Sequence, residues 1–134
     1  MTRPAVKADI PHLVAMGRRF HAASNQHCGY DEGAIAALLS GLIDNGFVQV
    51  TEGGVIGGVL NPSYCDPSWV MAVELFWWAE DRRGLRLLSD FENWAKESGA
   101  QEVRMTTLAN LKSAETILGR RGYAPSEVSH TKVI

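Results

Sequence analysis

The residues best suited to chemistry lie in one segment, ELFWWAEDRRGLR (residues 74–86), in which an apolar run leads through a charged loop into the start of a helix. The first turn of a helix leaves backbone N–H groups without partners, and the helix dipole adds partial positive charge there. Arg82, Arg83 and Arg86 cluster on this turn, and guanidinium groups make bidentate hydrogen bonds to phosphate. The segment therefore predicts a site for a phosphate or diphosphate.

The charges of this segment have a second interpretation. A solvated helix face would carry the same arginines paired with their acidic neighbours, namely Glu80, Asp81 and Asp90. The sequence leaves both interpretations open.

Glu74 is the only carboxylate in the apolar run of residues 70–78. Burial disfavours the charged form of a carboxyl group and raises its pKa toward neutrality, where it can accept a proton from an amine or a bridging water. Glu74 is therefore a candidate general base. The alternative is a structural carboxylate held by Arg104 or by loop amides.

The elements that position these residues follow from hydrophobic spacing and from helix and turn signals. The predicted order is a strand at 3–6, a helix after Asp9 as N-cap, a helix from Asp31 to Gly46, hairpin strands at 47–51 and 55–60, a strand at 70–78, a helix from Gly84 to Gly99, a strand at 102–108, a helix at 113–121 ended by Gly122, and a last strand at 127–134. This succession predicts a single α/β domain over residues 1–134, with a mixed central sheet and helices on both faces.

Composition limits the partners. Thirteen Lys and Arg against fifteen Asp and Glu give a net charge of −2, so we expect neither nucleic acid nor a membrane as partner. No apolar run is long enough to span a membrane, and the N-terminus lacks the apolar region of a signal peptide. Two cysteines fit a reducing cytoplasm. The spacing of His27, Cys28, Cys65 and His130 suits chelation poorly, so we expect no metal site.

The strand VELFWW, the following EDRRGLRLL, the helix ending NWAKESGA and the tail ETILGRRGYAP resemble the GNAT superfamily of acetyl-CoA-dependent N-acyltransferases, in particular its small bacterial and phage-like members. The resemblance covers nearly the whole chain in element order. The family's acetyl-CoA loop has Gln or Arg, two residues, Gly, one residue, then Gly or Ala. Here the loop is shorter, only Gly84 remains of the glycine pair, and Arg82 or Arg83 takes the Gln/Arg position.

The resemblance implies a coenzyme site along this segment. In the family the pantetheine arm pairs like an extra strand with the strand before the loop, where that strand splays from its neighbour. The implied coenzyme-binding residues are Phe76, Trp77, Trp78, Arg82, Arg83, Gly84, Leu85, Arg86 and Asn110. The resemblance also implies Glu74 as general base and the N–H of Trp77 or Trp78 as the group that polarises the thioester carbonyl.

The general acid is where the sequence departs from the family. The family's Asn before the last helix and Tyr within it fall on Leu111 and Leu118, which donate no hydrogen bond. Asn110, one residue away, is a possible substitute. Other possible donors are Tyr64, Tyr123, Ser129, His130 and water.

The resemblance therefore implies an N-acetyltransferase that moves an acetyl group from acetyl-CoA, as cosubstrate, to a primary amine by direct transfer in a ternary complex. The acceptor, a small molecule or a peptide, is expected between residues 20–30, 60–69 and 127–131. The alternative is a GNAT-shaped module of little or no activity that binds coenzyme A or a protein. A shortened C-terminal hairpin would leave a sheet edge at which a homodimer is possible.

Overall fold

The helices and strands follow one another along the chain in the predicted order, except that the last predicted strand is absent. In the computed structural model, which describes residues 1–134, the strands are β1 (Arg3–Pro4), β2 (Phe47–Thr51), β3 (Gly54–Pro62), β4 (Val70–Ala79) and β5 (Glu102–Arg104). The α-helices are α1 (Ile10–Ala23), α2 (Glu32–Asn45), α3 (Gly84–Glu97) and α4 (Lys112–Arg120), and a 3-10 turn covers Lys7–Asp9.

The five strands form one mixed sheet in the order β1-β2-β3-β4-β5. The first three pairings are antiparallel, and β4 and β5 are parallel. The parallel pair follows from the crossover through α3, since parallel neighbours need a long connection. The predicted α/β class and mixed sheet are confirmed.

Helices cover both faces of the sheet, as predicted. Between the sheet and the α1–α2 pair lies one core, built on Leu13, Met16, Leu39, Leu42, Val48 and Val50. Between the sheet and α3 lies the other, built on Ile56, Ala72, Leu87, Phe91 and Ala95. The strand β4 contributes side chains to both cores, which is why its sequence is apolar almost without interruption.

Most helix ends follow their predicted signals. The Oδ1 atom of Asp31 accepts the N–H of Ala34 at 3.0 Å and caps α2, and Gly46 follows its last residue. Gly99 and Gly122 lie just after α3 and α4 with φ of 80° and 90°, the left-handed region that favours glycine.

Asp9 is the N-cap residue of α1, as predicted, but its side chain makes no capping hydrogen bond. Its carboxylate turns back to accept the N–H of Val6 at 2.8 Å and two hydrogen bonds from Arg3 at 2.7 and 2.8 Å. The charged guanidinium is the stronger partner, because charge-assisted hydrogen bonds exceed neutral ones.

The predicted last strand at 127–134 is wrong, and β5 is shorter than the predicted 102–108. Residues 127–134 are all exposed and form no strand. An ion pair of 3.2 Å between Arg104 and Glu127 joins this segment to β5. The sequence pattern suits a strand, but a short segment that buries no side chain gains too little to offset the entropy of ordering. The outer edge of β5 therefore lacks a strand partner, and the homodimer stays a prediction.

A register shift divides the β3–β4 pairing directly after Glu74. Gly57 lies opposite Phe76 and Gly58 opposite Glu74, so Leu75 is the extra residue of a β-bulge. This bulge was not predicted from the sequence, although the adjacent Gly57 and Gly58 could have indicated it, since glycines inside a strand often mark a bulge.

We expect Gly58→Ala to destabilise the fold by about 1–3 kcal/mol, because a Cβ would lie 2.5 Å from the Val73 carbonyl oxygen and 2.6 Å from the Phe91 ring. Urea denaturation measures the change. Gly41→Ala, in α2 with nothing within 4 Å of its added Cβ, is the matched control and should gain stability. Equal stabilities of the two variants would contradict the close packing.

Candidate active site

The strands β4 and β5 diverge beside the segment that carries the candidate residues. They pair only between Met71–Val73 and Glu102–Arg104, whereas β4 stays paired with β3 as far as Ala79. From residue 74 to residue 79, β4 has no strand on its β5 side. The backbone of this half of β4 therefore has no strand partner on that side, where an extended ligand could pair with it. We call this unpaired side of residues 74–79 the opening.

The aromatic residues of β4 hold the strand from both faces. Trp77 packs on the α3 face, and its indole N–H donates to the Gly84 carbonyl at 3.0 Å. Phe76 and Trp78 pack on the α1–α2 face, where Trp78 stacks on Phe20 with ring centroids 5.0 Å apart. All three side chains pack against the cores, so an extended ligand would pair with the backbone of these residues.

The helix α3 begins with unpaired amide groups at the end of this opening. No side chain caps it, and the N–H of Arg83, at its N-cap, donates to the Oδ1 atom of Asp81 at 2.9 Å. The first helical bond back into this turn runs from the N–H of Leu87 to the Arg83 carbonyl. The N–H groups of Gly84, Leu85 and Arg86 are therefore available to an anion.

The arginines of this turn are mostly free. Arg82 and Arg83 are exposed and form no ion pair. Arg86 lies 3.6 Å from Asp90 with 73% of its side chain exposed, a contact that contributes little in solvent. The solvated-face interpretation, in which these arginines pair with acidic neighbours, therefore holds only for Arg86.

The remaining acids have other partners. Both carboxylate oxygens of Glu80 accept hydrogen bonds from Arg19 of α1, at 2.6 and 2.9 Å. The hydrogen bond from Arg19 is the main cause that lowers the pKa of Glu80. Asp81 accepts hydrogen bonds from the Thr51 hydroxyl and from backbone N–H groups. These tertiary partners were not predictable, because nothing local marks Arg19 or Thr51.

Glu74 is buried, with 6% of its surface exposed. It lies opposite Gly58, whose added Cβ would point at Phe91; because cross-strand neighbours share a face, Glu74 lies on the α3 face. Its Oε2 atom accepts the N–H of Thr106 at 2.9 Å, across the gap between β4 and the chain after β5. Arg104 does not reach it and pairs instead with Glu102 and Glu127.

Burial raises the pKa of Glu74 from 4.5 to about 7, although the hydrogen bond from Thr106 lowers it. The folded protein therefore holds a proton between pH 4.5 and about 7 that the unfolded chain has released. Its stability should fall as pH rises through this window, by at most about 3 kcal/mol. A carboxyl group that titrates near neutrality also suits proton transfer.

We expect Glu74→Gln to remove this pH dependence, because glutamine keeps an oxygen for the Thr106 N–H but carries no proton to release. Urea unfolding at pH 5 and pH 8 should show the variant more stable than the wild type at pH 8 and similar to it at pH 5. Glu97→Gln, an exposed position on α3, is the control. If the wild type and Glu74→Gln lost the same stability between pH 5 and pH 8, the raised pKa would be refuted.

Two of the residues considered for thiolate protonation, Asn110 and Tyr123, have partners elsewhere in the protein. The amide of Asn110 donates to the Ala23 carbonyl at 3.0 Å and so ties the end of α1 to the turn before α4. Leu118 is buried. Tyr123 donates to Glu92 at 2.8 Å, and burial raises its pKa. None of these three side chains is therefore placed as an unengaged proton donor.

The predicted acceptor segments carry few defined polar sites. His21 contacts the Cys28 carbonyl at 2.9 Å through its Nε2 atom, and Cys28 and Cys65 are exposed free thiols. Tyr64 is 98% exposed. No group of three or more His, Cys, Asp and Glu side chains is arranged to hold a metal ion.

No protein-family model matches the sequence, and no curated protein matches it. Solved structures match it over nearly the whole chain. A predicted acetyltransferase of Clostridium acetobutylicum with acetyl-CoA has a TM-score of 0.77 at 14% identity, covering 99% of this chain and 95% of that one. A GCN5-related N-acetyltransferase from Ralstonia eutropha JMP134 has a TM-score of 0.73 at 16% identity, covering 99% and 97%.

The aminoglycoside acetyltransferase AAC(6')-Iy, in complex with a bisubstrate analogue of coenzyme A and acetylneamine, has a TM-score of 0.75 at 13% identity, covering 100% of this chain and 97% of that one. The chain thus has the fold of the GCN5-related N-acetyltransferases, as the sequence resemblance implied. None of its helices is both long and apolar enough to cross a membrane.

Proposed function

We propose that the protein transfers an acetyl group from acetyl-CoA to a primary amine by direct transfer in a ternary complex. One observation carries the proposal: the uncapped start of α3, with Arg82 and Arg83 exposed and unpaired, follows the half of β4 that has no strand partner on its β5 side. A similar fold in a protein solved with acetyl-CoA supports it.

The residues present fit a coenzyme A thioester. The N–H groups of Gly84, Leu85 and Arg86 and the guanidinium groups of Arg82 and Arg83 would hold its diphosphate. The backbone of Phe76, Trp77 and Trp78 would pair with its pantetheine arm as an added strand does. Because hydrogen bonds of this kind use main-chain groups, the aromatic side chains remain free to pack in the cores.

The bound thioester supplies an activated acetyl group. The amine nitrogen forms a bond to the acetyl carbon, the carbon–sulfur bond breaks, and coenzyme A leaves as the thiolate. Glu74 takes the proton that the amine loses, and the backbone N–H of Trp77 or Trp78 stabilises the negative charge on the carbonyl oxygen. Water protonates the thiolate, since Leu111 and Leu118 donate no hydrogen bond, and Glu74 returns the proton it took to the solvent. Positioning of the two substrates lowers the barrier further.

The second candidate is a coenzyme A-binding module with little or no turnover. The observation that favours it is the state of Glu74, whose carboxyl group is buried and accepts a hydrogen bond from the Thr106 N–H. In this role Glu74 would join β4 to the chain beyond β5 and take no part in proton transfer.

Two measurements test the proposal and separate the candidates. Calorimetry with coenzyme A and acetyl-CoA should show binding in either case, and a lack of binding would remove both. Release of free thiol from acetyl-CoA, followed against a panel of amines and N-terminal peptides, should occur for an acetyltransferase only. Binding without thiol release from any amine would leave the binding module.

The exposed free thiols of Cys28 and Cys65 suit a reducing compartment, and we propose the cytoplasm as the site of action.

A further inference from the structure

Asp81 joins two parts of the chain that are far apart in sequence. It lies in the link 80–83 between β4 and α3, beside the turn between β2 and β3. Its Oδ2 atom accepts the Thr51 hydroxyl at 3.0 Å and the Gly53 N–H at 3.2 Å. Its Oδ1 atom accepts the N–H of Arg83 at 2.9 Å. Thr51 and Asp81 are 30 residues apart in the chain.

The packing around this carboxylate is close. Thr51 is buried, with 7% of its surface exposed, and a Cβ added at Gly53 would lie 3.1 Å from the Oδ2 atom of Asp81. The N–H of Glu80 donates to the Gly53 carbonyl at 2.6 Å. The link is therefore held against the β2–β3 turn by both side-chain and backbone hydrogen bonds.

The carboxylate of Asp81 is ionised at neutral pH. Burial on its own would raise its pKa, but the hydrogen bonds from Arg83, Thr51 and Gly53 together hold the pKa below its usual range. Its hydrogen bonds are therefore charge-assisted and stronger than neutral ones.

This negative charge lies beside the amide groups proposed to bind a diphosphate, so its two effects oppose each other. By charge alone Asp81 weakens the binding of an anion. By holding Arg83 and the start of α3 in place it strengthens binding, because a preorganised site loses less entropy when the ligand binds. Whether a substitution of Asp81 strengthens or weakens the binding of the anion shows which of these two effects is larger.

We infer that Asp81 is a positioning residue for the coenzyme: it fixes the anion-binding turn of α3 against the β2–β3 turn, so that Thr51 and Gly53 take part in coenzyme affinity without touching the ligand. Where the family has a longer glycine-containing loop, this chain has a short link fixed by a side chain. The inference rests on the proposed function, since it concerns the same coenzyme site.

The test is the dissociation constant of coenzyme A, measured by calorimetry at a temperature where circular dichroism shows each variant folded. Thr51→Val removes the hydroxyl with little change of shape, and Asp81→Asn removes the charge and part of the accepting capacity. Each should weaken coenzyme A binding about tenfold, the equivalent of one charge-assisted hydrogen bond. Thr51→Ser keeps the hydroxyl and should bind coenzyme A as the wild type does.

The outcomes are distinct. Tighter binding by Asp81→Asn with no change in Thr51→Val would mean that Asp81 acts through its charge alone and would overturn the inference. Equal weakening by Thr51→Val and Thr51→Ser, or wild-type affinity in both Thr51→Val and Asp81→Asn, would also overturn it. If Asp81→Asn does not fold, the Thr51 pair decides. Failure of the wild type itself to bind coenzyme A would instead remove the proposed function.

A second measurement distinguishes positioning of the coenzyme site by Thr51 and Asp81 from a role of their hydrogen bond in the stability of the fold alone. For an active enzyme, positioning predicts that Thr51→Val raises KM for acetyl-CoA and leaves kcat near that of the wild type, since a saturated site reaches the same transition state. A lower melting temperature with unchanged KM would show that these hydrogen bonds stabilise the fold only.

Discussion

Replacement of both Arg82 and Arg83 by Ala should weaken coenzyme A binding at least about tenfold, because each guanidinium group offers charge-assisted hydrogen bonds worth roughly 1.5–3 kcal/mol to a diphosphate. Neither arginine forms an ion pair in the protein and both are exposed, so the substitution should leave the stability of the fold nearly unchanged. Calorimetry at two salt concentrations measures both the affinity for coenzyme A and its dependence on salt. The affinity of the variant should depend less on salt than that of the wild type, since salt screens exposed charges.

The control for this variant removes the same charge elsewhere. Lys96→Ala combined with Lys132→Ala removes two exposed cations, one of them in the last turn of α3, at the opposite end of the helix from the proposed site. If the loss of affinity came from net charge, the control would show it too. Wild-type affinity in the Arg82 and Arg83 variant would mean that the turn does not hold the diphosphate, and the transferase proposal would lose its main support.

Glu74→Gln should lower kcat/KM for an active amine by about 10²–10⁴, the usual contribution of a general base. Glutamine keeps the hydrogen bond from the Thr106 N–H but takes up no proton. Because the pKa of Glu74 is raised to about 7, the wild-type carboxyl is ionised mainly above that pH. The difference between wild type and variant should therefore be largest above pH 7 and should shrink as pH falls.

The pH profile of kcat/KM provides the measurement. The wild type should show a loss of activity as pH falls through about 7 in addition to the decline caused by protonation of the amine, and Glu74→Gln should show the decline from the amine alone. Glu97→Gln, which removes an exposed carboxylate from α3, should retain the wild-type profile. Unchanged rates of Glu74→Gln at every pH would leave Glu74 with a structural role and favour the binding module.

Activity and stability should change in opposite directions in the Glu74 variant. The same substitution that removes the base also removes the cost of burying a charge at alkaline pH. A fall in rate at pH 8 together with a rise in the free energy of unfolding cannot be explained by a partly unfolded enzyme. The pair of measurements therefore separates catalysis from folding within one variant.

The sequence by itself determined the features that depend on a few neighbouring residues. Asp31, Gly46, Gly99 and Gly122 mark helix ends because a cap or a left-handed φ is set within one turn. The apolar run of β4 and the helix after Gly84 followed from periodicity, and their junction gave the turn that we propose binds an anion. Glu74 stood out because a lone carboxylate in an apolar run must be buried or paired.

Tertiary structure alone decided which partners these residues meet. The parting of β4 from β5 after Val73, the hydrogen bond from Thr106 to Glu74 and the contact of Asp81 with Thr51 all join segments distant in the chain. The prediction of a last strand at 127–134 was wrong for the same reason. Its sequence pattern is local, but a strand is stable only where the rest of the fold covers one of its faces. Local preferences are fixed by covalent neighbours, whereas pairing and burial depend on how the whole chain packs.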